Sequence, residues 1–181
     1  MEWFIPGTVL RADREANIEQ QFSAMFLGGG IVLSQVTGIT GLEAYTVQNW
    51  VKRGFLSPPE RKHYSLKQLC RIMNINMLKN VLPMERIVGL LSYINGDLDD
   101  ESDDIIGDAE LYFMFVRLAA QAATMNTPRG RDDCIAKELA DYREPVPGAK
   151  ERVAKVLAIM LTAWASAQLR QTAEQMLQEL V

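Results

Sequence analysis

The chain has 181 residues, of which 48% are apolar and 23% charged, and it carries a net charge of −4. That composition allows a sizeable core and excludes a disordered or fibrous chain. The overall acidity excludes a uniformly basic nucleic-acid coat. Cys70 and Cys134 have no Cys-x-x-Cys spacing, so they read as reduced thiols of a cytoplasmic protein. The opening residues have no basic stretch leading into an apolar run, so no secretion signal is expected. The longest uncharged apolar stretch, Val156–Leu169, is too short to cross a bilayer, so no membrane association is expected.

Residues 1–30 read as an N-terminal helical arm. The apolar patch Trp3-Phe4-Ile5 is stopped by Pro6-Gly7, and Asn17–Leu27 then forms an amphipathic helix with Ile18, Phe22, Met25 and Phe26 on one face. Gly28-Gly29-Gly30 ends it as a cap and hinge. The run lacks the downstream Lys-Ser/Thr of a phosphate loop and the spacing of a dinucleotide fingerprint.

The next helix is expected from Ile31 to Thr37, with Gly38 as its left-handed turn residue. Thr40-Gly41-Leu42-Glu43 reads as a capping box opening a second helix that ends at Arg53. Val47, Trp50 and Val51 form its inward stripe; Thr46, Gln48, Asn49, Lys52 and Arg53 lie on or near the opposite surface. Asn and Gln amides can pair with adenine edges, and Lys or Arg with phosphate or guanine. An ordinary solvated face is the alternative. Gly54-Phe55-Leu56 breaks the helix, and Pro58-Pro59 stiffens a tight turn whose basic return is Arg61, Lys62, His63 and Tyr64. His63 is the sole histidine and has neither further zinc ligands at suitable spacing nor a nucleophilic companion. Ser65-Leu66-Lys67-Gln68 is a second capping box, starting a helix to about Asn80 on whose apolar stripe Asn76 is the polar exception. Pro83 begins another, with Ile87, Leu90, Leu91 and Ile94 inward and Gly96 as its stop.

Helix, turn, helix and basic hairpin in this order resemble a winged helix-turn-helix of the MerR type. The resemblance is carried by Thr46–Leu56, by the return to Tyr64, and by the helix start Ser65-Leu66-Lys67-Gln68-Leu69. Gln48, Asn49 and Trp50 stand where that family has Arg-Tyr-Tyr, and the wing is very short. From about Ile31 to Phe113 the pattern also resembles an uncharacterised bacterial family with a MerR-like head. The resemblance implies binding of double-stranded DNA, with Thr46, Gln48, Asn49, Lys52, Arg53, Arg61, Lys62, His63 and Tyr64 as contacts.

The acidic run Asp97–Asp104 begins like a calcium loop but has Ser102 where the central glycine belongs. A flexible acidic linker over 97–107 is preferred to a divalent-ion site. Beyond it three helices are expected: Asp108 to about Asn126, Asp132–Arg143 and Ala149–Leu180, separated by Thr127-Pro128-Arg129-Gly130 and Pro145-Val146-Pro147-Gly148. Val153, Val156, Leu157, Met160, Leu161 and Trp164 make a wide stripe on the last, which suits either a dimer interface or packing within one chain.

The expected fold is therefore mainly α. An N-terminal arm (1–30) precedes a winged helix-turn-helix domain (31–96) with a very short β-hairpin wing; a linker (97–107) leads to a helical dimerisation or effector domain (108–181). Residues 33–96 hold eight Lys/Arg against three Glu, whereas residues 97–181 hold nine Lys/Arg against sixteen Asp/Glu. A basic head on an acidic body suits a cytoplasmic bacterial transcription regulator that works as a homodimer and leaves room for a small-molecule effector. The alternative is a protein–protein interaction module whose helix-turn-helix is a relic that does not bind DNA. No catalytic constellation, cofactor site or metal cluster is expected, so the chain is not read as an enzyme.

Overall fold

The computed structural model describes residues 2–96, 98, 100–121 and 127–180. The chain is mainly α. In order come β1 (Glu2–Phe4), β2 (Arg11–Asp13), α1 (Ile18–Met25), β3 (Ile31–Val32), α2 (Leu33–Thr40), α3 (Ala44–Lys52), β4 (His63–Tyr64), α4 (Leu66–Leu78), α5 (Met84–Asn95), a 3-10 turn (Glu101–Asp103), α6 (Asp108–Ala120), α7 (Pro128–Glu138) and α8 (Ala149–Gln178). The strands form two antiparallel pairs, β1 with β2 and β3 with β4. No helix among the described residues is long and apolar enough to cross a membrane.

Helices α4 and α6 are the centre. Leu69, Cys70, Ile72, Met73, Ile75 and Leu78 of α4 are fully buried, as are Leu111, Tyr112, Phe115 and Leu118 of α6. These residues surround the helix axes instead of lining one stripe, the pattern of helices covered on every side. The Ser65–Gln68 capping box forms as expected: Ser65 Oγ accepts from the Gln68 N–H at 3.2 Å, and Gln68 Oε1 accepts from the Ser65 N–H at 2.8 Å. Asn76, the polar exception, is explained by tertiary structure. Its Nδ2 donates to the Gly7 carbonyl at 2.9 Å and to the Thr40 carbonyl at 3.0 Å, tying three segments together.

The first thirty residues are not an arm. Trp3 pairs with Ala12 in a hairpin whose side chains enter the common core, with Trp3, Ile5, Ile18 and Phe22 all buried. Tyr112 donates to the Pro6 carbonyl at 2.8 Å, and Val9 donates its N–H to the Ile39 carbonyl at 2.9 Å. Gly7 makes the approach possible. Its φ is +74°, and a Cβ there would lie 2.4 Å from the Met73 carbonyl oxygen.

The expected division of head from body is also not a division of cores. Ile105 and Ile106 are buried, and the Ile105 N–H donates to the Ile94 carbonyl at 2.8 Å, so the end of the 97–107 stretch is packed. Lys67 and Arg71 of α4 pair with Asp104 and Asp108 across this junction, at 3.3 and 3.2 Å. Apolar neighbours won over the acidic composition that suggested an open linker. Asp97 and Asp99 of that run lie outside the described residues, as does the expected continuation of α6 from 122 to 126.

Thr127, expected in a break, caps α7: its Oγ1 accepts from the Gly130 N–H at 3.0 Å, with Pro128 in the first turn. The wide stripe on α8 is used within the chain. Val153, Val156, Leu157, Met160 and Leu161 are buried against the other helices. Its last half leaves the body, and Leu169, Met176 and Leu177 are 74, 62 and 64% exposed.

Candidate nucleic-acid interface

The surface is built from α2, the turn after it, α3 and the Glu60–His63 turn. Helix α2 runs three residues further than the sequence suggests. Gly38 is an exposed helical residue, and the chain turns at Gly41, whose φ is +70° and whose N–H donates to the Thr37 carbonyl at 2.8 Å. Thr40 is accordingly the last residue of α2, not a cap of α3: its hydroxyl donates to the Val36 carbonyl at 2.8 Å. Helix α3 starts at Ala44 with no side-chain cap. A Cβ on Gly41 would sit 2.5 Å from Val9 Cγ1, so the β1–β2 hairpin presses on the turn that sets the angle of α3.

Val47 and Trp50 anchor α3 in the core, as expected. The opposite side presents Gln48 and Lys52 exposed, with Thr46 and Asn49 half-buried beside them. Tyr45, three residues before Gln48, stands on the same side and is 76% exposed. Sequence periodicity passed over it; its place two residues before Val47 and five before Trp50, off their stripe, was the available signal. The side chains of Tyr45, Thr46, Gln48, Asn49 and Lys52 make no hydrogen bond or ion pair with the described residues. Arg53 differs: it turns toward α5, with Nη2 3.5 Å from Glu85 and its guanidinium 4.4 Å from the Phe55 ring centre.

The turn after α3 is held by Gln68, whose Nε2 donates to the Ser57 and Pro58 carbonyls at 2.9 and 3.0 Å. The chain then reverses at Glu60–His63, where the His63 N–H donates to the Glu60 carbonyl at 2.8 Å. Both central residues, Arg61 and Lys62, have positive φ, +47° and +68°. Two consecutive left-handed residues are what a type I′ hairpin turn needs, and glycine or asparagine usually supplies them. A tight two-residue tip thus carries two exposed cations at a backbone cost of about 1–2 kcal/mol each. Replacing Lys62 by glycine is expected to leave unfolding free energy unchanged or raise it by up to about 1 kcal/mol, since relief of strain is partly offset by unfolded-chain entropy. Urea denaturation checks this; a loss of stability would mean the lysine side chain is packed rather than merely displayed.

His63 is exposed, its Nδ1 3.0 Å from the Arg61 carbonyl. Tyr64 is not a surface contact. It is 3% exposed, faces Ile31 in the β3–β4 pair, and burial pushes its hydroxyl pKa up. Period-two alternation along the strand explains the difference, because His63 and Tyr64 point to opposite faces. Of the expected set, then, Thr46, Gln48, Asn49 and Lys52 share one helix and Arg61, Lys62 and His63 one turn, while Arg53 and Tyr64 are committed elsewhere. Among the described residues no group of three or more His, Cys, Asp or Glu side chains is placed to hold a metal ion.

Residues 31–115 match the model of a domain of unknown function, DUF1836. The chain is 30% identical over 86 residues to the uncharacterized protein YkrK of Bacillus subtilis strain 168, a stretch that makes up 45% of this chain and 37% of that protein. The chain thus spans little more than a third of the relative's length. No solved structure matches. The matched segment begins at β3 and ends inside α6, so it contains both α3 and the Glu60–His63 turn.

Proposed function

We propose that the chain is a DNA-binding transcription regulator whose residues 31–96 act as a MerR-like winged helix-turn-helix. Helix α3 enters the major groove, and the Glu60–His63 turn is the wing that meets the phosphate backbone. The observation that carries this reading is the division of labour among polar side chains. Arg53, Lys67 and Arg71 are paired within the protein. The side chains of Tyr45, Gln48, Asn49 and Lys52, and those of the Arg61-Lys62 tip held in a costly backbone conformation, make no hydrogen bond or ion pair among the described residues. Strain retained to display charge is characteristic of functional sites.

The test is fluorescence anisotropy on duplexes selected from genomic fragments, at two salt concentrations. Gln48→Ala is expected to weaken the selected duplex by roughly 5- to 150-fold and relax sequence preference, as loss of one base contact does. Lys62→Gly is expected to weaken all duplexes alike and lower the salt dependence by about one counterion. Failure of every duplex to bind, together with a co-purifying protein, would favour an interaction module.

The regulator reading includes a homodimer formed through the outer half of α8. Ile159, Thr162, Ser166, Leu169, Ala173 and Met176 recur at alternating steps of three and four, the spacing of a coiled-coil seam. The only charges from 165 to 178, Arg170 and Glu174, pair with each other at 3.6 Å, so nothing repels a like copy. A half-helix of this length is marginal in water without a partner. Sedimentation should give a dimer for the native chain and a monomer for Leu169→Lys/Met176→Lys with unchanged helix content. A native monomer at tens of micromolar would remove the dimer from the reading.

A further inference from the structure

The geometry points to a binding site for a small organic anion in the cavity behind the Glu60–His63 turn, where Nη2 of Arg71 takes the carboxylate or phosphate group. The cavity measures about 810 Å³, within the usual range of small-molecule sites. Its walls come from the Gly28–Gly30 loop, the Ser57-Pro58 turn, the Glu60–His63 turn, the first turns of α4, and Asp108 at the start of α6.

Arg71 is the reason to expect an anion. It is 3% exposed, yet it lines this cavity. Its Nε donates to the Phe55 carbonyl at 2.9 Å, and its Nη1 reaches both Asp108 oxygens at 3.4 and 3.2 Å. Nη2 has no hydrogen-bond partner among the described residues. Unlike the sealed polar atoms of the core, this nitrogen is open to the cavity, and the planar guanidinium fork suits the oxygens of a carboxylate or phosphate. Arg61, also in the lining, adds a second cation whose side chain has no partner among the described residues. The Gly28–Gly30 part of the lining leaves room, because a Cβ added at Gly28 or Gly29 would meet nothing within 4 Å.

An occupant would touch the wing, α4 and the start of α6 together. It would therefore bias the position of Arg61 and His63, which is a route from a metabolite to the DNA-facing surface. That regulatory consequence rests on the function proposed above; the binding itself does not.

The experiment is isothermal titration calorimetry of the full chain without DNA, using inorganic phosphate and citrate as probes at constant ionic strength set with KCl. A saturable one-to-one heat is expected with at least one probe. Gly28→Phe, which adds a large side chain at the cavity lining and leaves Arg71 in place, should weaken it, and Arg71→Lys should weaken it at least tenfold. The proposal is overturned if neither probe gives a saturable heat, or if Gly28→Phe binds as the native chain does. It is also overturned if a saturating duplex displaces the probe and Gly28→Phe loses DNA affinity equally, since the cavity would then serve a backbone phosphate. Probe binding by a chain that retains no duplex would leave this site standing and sink the regulator.

Discussion

Replacing Arg71 by methionine lowers the unfolding free energy at neutral pH by about 3–5 kcal/mol, the usual consequence of removing one member of a buried ion pair. The side chains of Arg71 and Asp108 are 4 and 1% exposed, so each loses its main compensating charge in a largely desolvated setting when the other is removed. The pair is not itself a strong source of stability. Burial pushes the Asp108 carboxyl above its ordinary 3.8 even with the Arg71 guanidinium pulling it down. The sign follows from linkage. A carboxyl that holds its proton more tightly when folded contributes stability that is fully present below pH 3.8 and lost as pH rises through the raised value. Without Arg71 the carboxyl rises further, so the deficit of Arg71→Met should shrink as the solution is acidified and Asp108 takes up a proton. Urea titrations from pH 4 to 8 measure this, and a deficit independent of pH would assign the loss to packing alone. Arg71→Met combined with Asp108→Leu should recover most of the loss, because an apolar pair of similar volume leaves no uncompensated charge.

A chain beginning at residue 31 should fail to fold cooperatively, even though the domain match begins there. Phe22 is 1% exposed and packs against Tyr112 and Phe113, each with ring centroids 6.4 Å away. Phe22→Ala alone is expected to cost about 3–5 kcal/mol, the range for emptying a buried aromatic site. Removing the whole segment would also uncover the faces that Trp3, Ile5 and Ile18 occupy and strip the acceptors at Pro6 and Gly7 from Tyr112 and Asn76. Far-UV circular dichroism with a broad, dye-binding melt is the expected signature of such a truncated chain. A sharp transition would show that the first thirty residues are dispensable.

Local chemistry was readable along the chain, and long-range packing was not. The Ser65–Gln68 box, the Val47 and Trp50 anchor of α3, and the Ile87, Leu91 and Ile94 face of α5 follow from spacing alone. The β1–β2 hairpin was missed because its strands are three residues long, too short for alternation to register. The turn between α2 and α3 was placed three residues early because Gly38 and Gly41 offer the same cue, and only contact with Val9 selects Gly41. At the candidate interface, spacing placed Gln48, Asn49 and Lys52 on the side of α3 away from its buried residues. It could not reveal that Arg53 leans on Glu85, that Tyr64 is enclosed, or that Tyr45 stands clear.

The edge-to-face contact of Trp3 with Trp164, ring centroids 6.4 Å apart, joins residues near opposite ends of this sequence. On the ribosome Trp3 emerges long before Trp164, which follows only after everything between them has been made. Until then the β1–β2 hairpin has an incomplete seat, and its indole and the isoleucine behind it face solvent. Loop closure on this scale is slow relative to local helix formation. The β1–β2 hairpin is thus among the last elements to be locked in place, and the interval before locking is when the nascent protein is most exposed to chaperones and proteases.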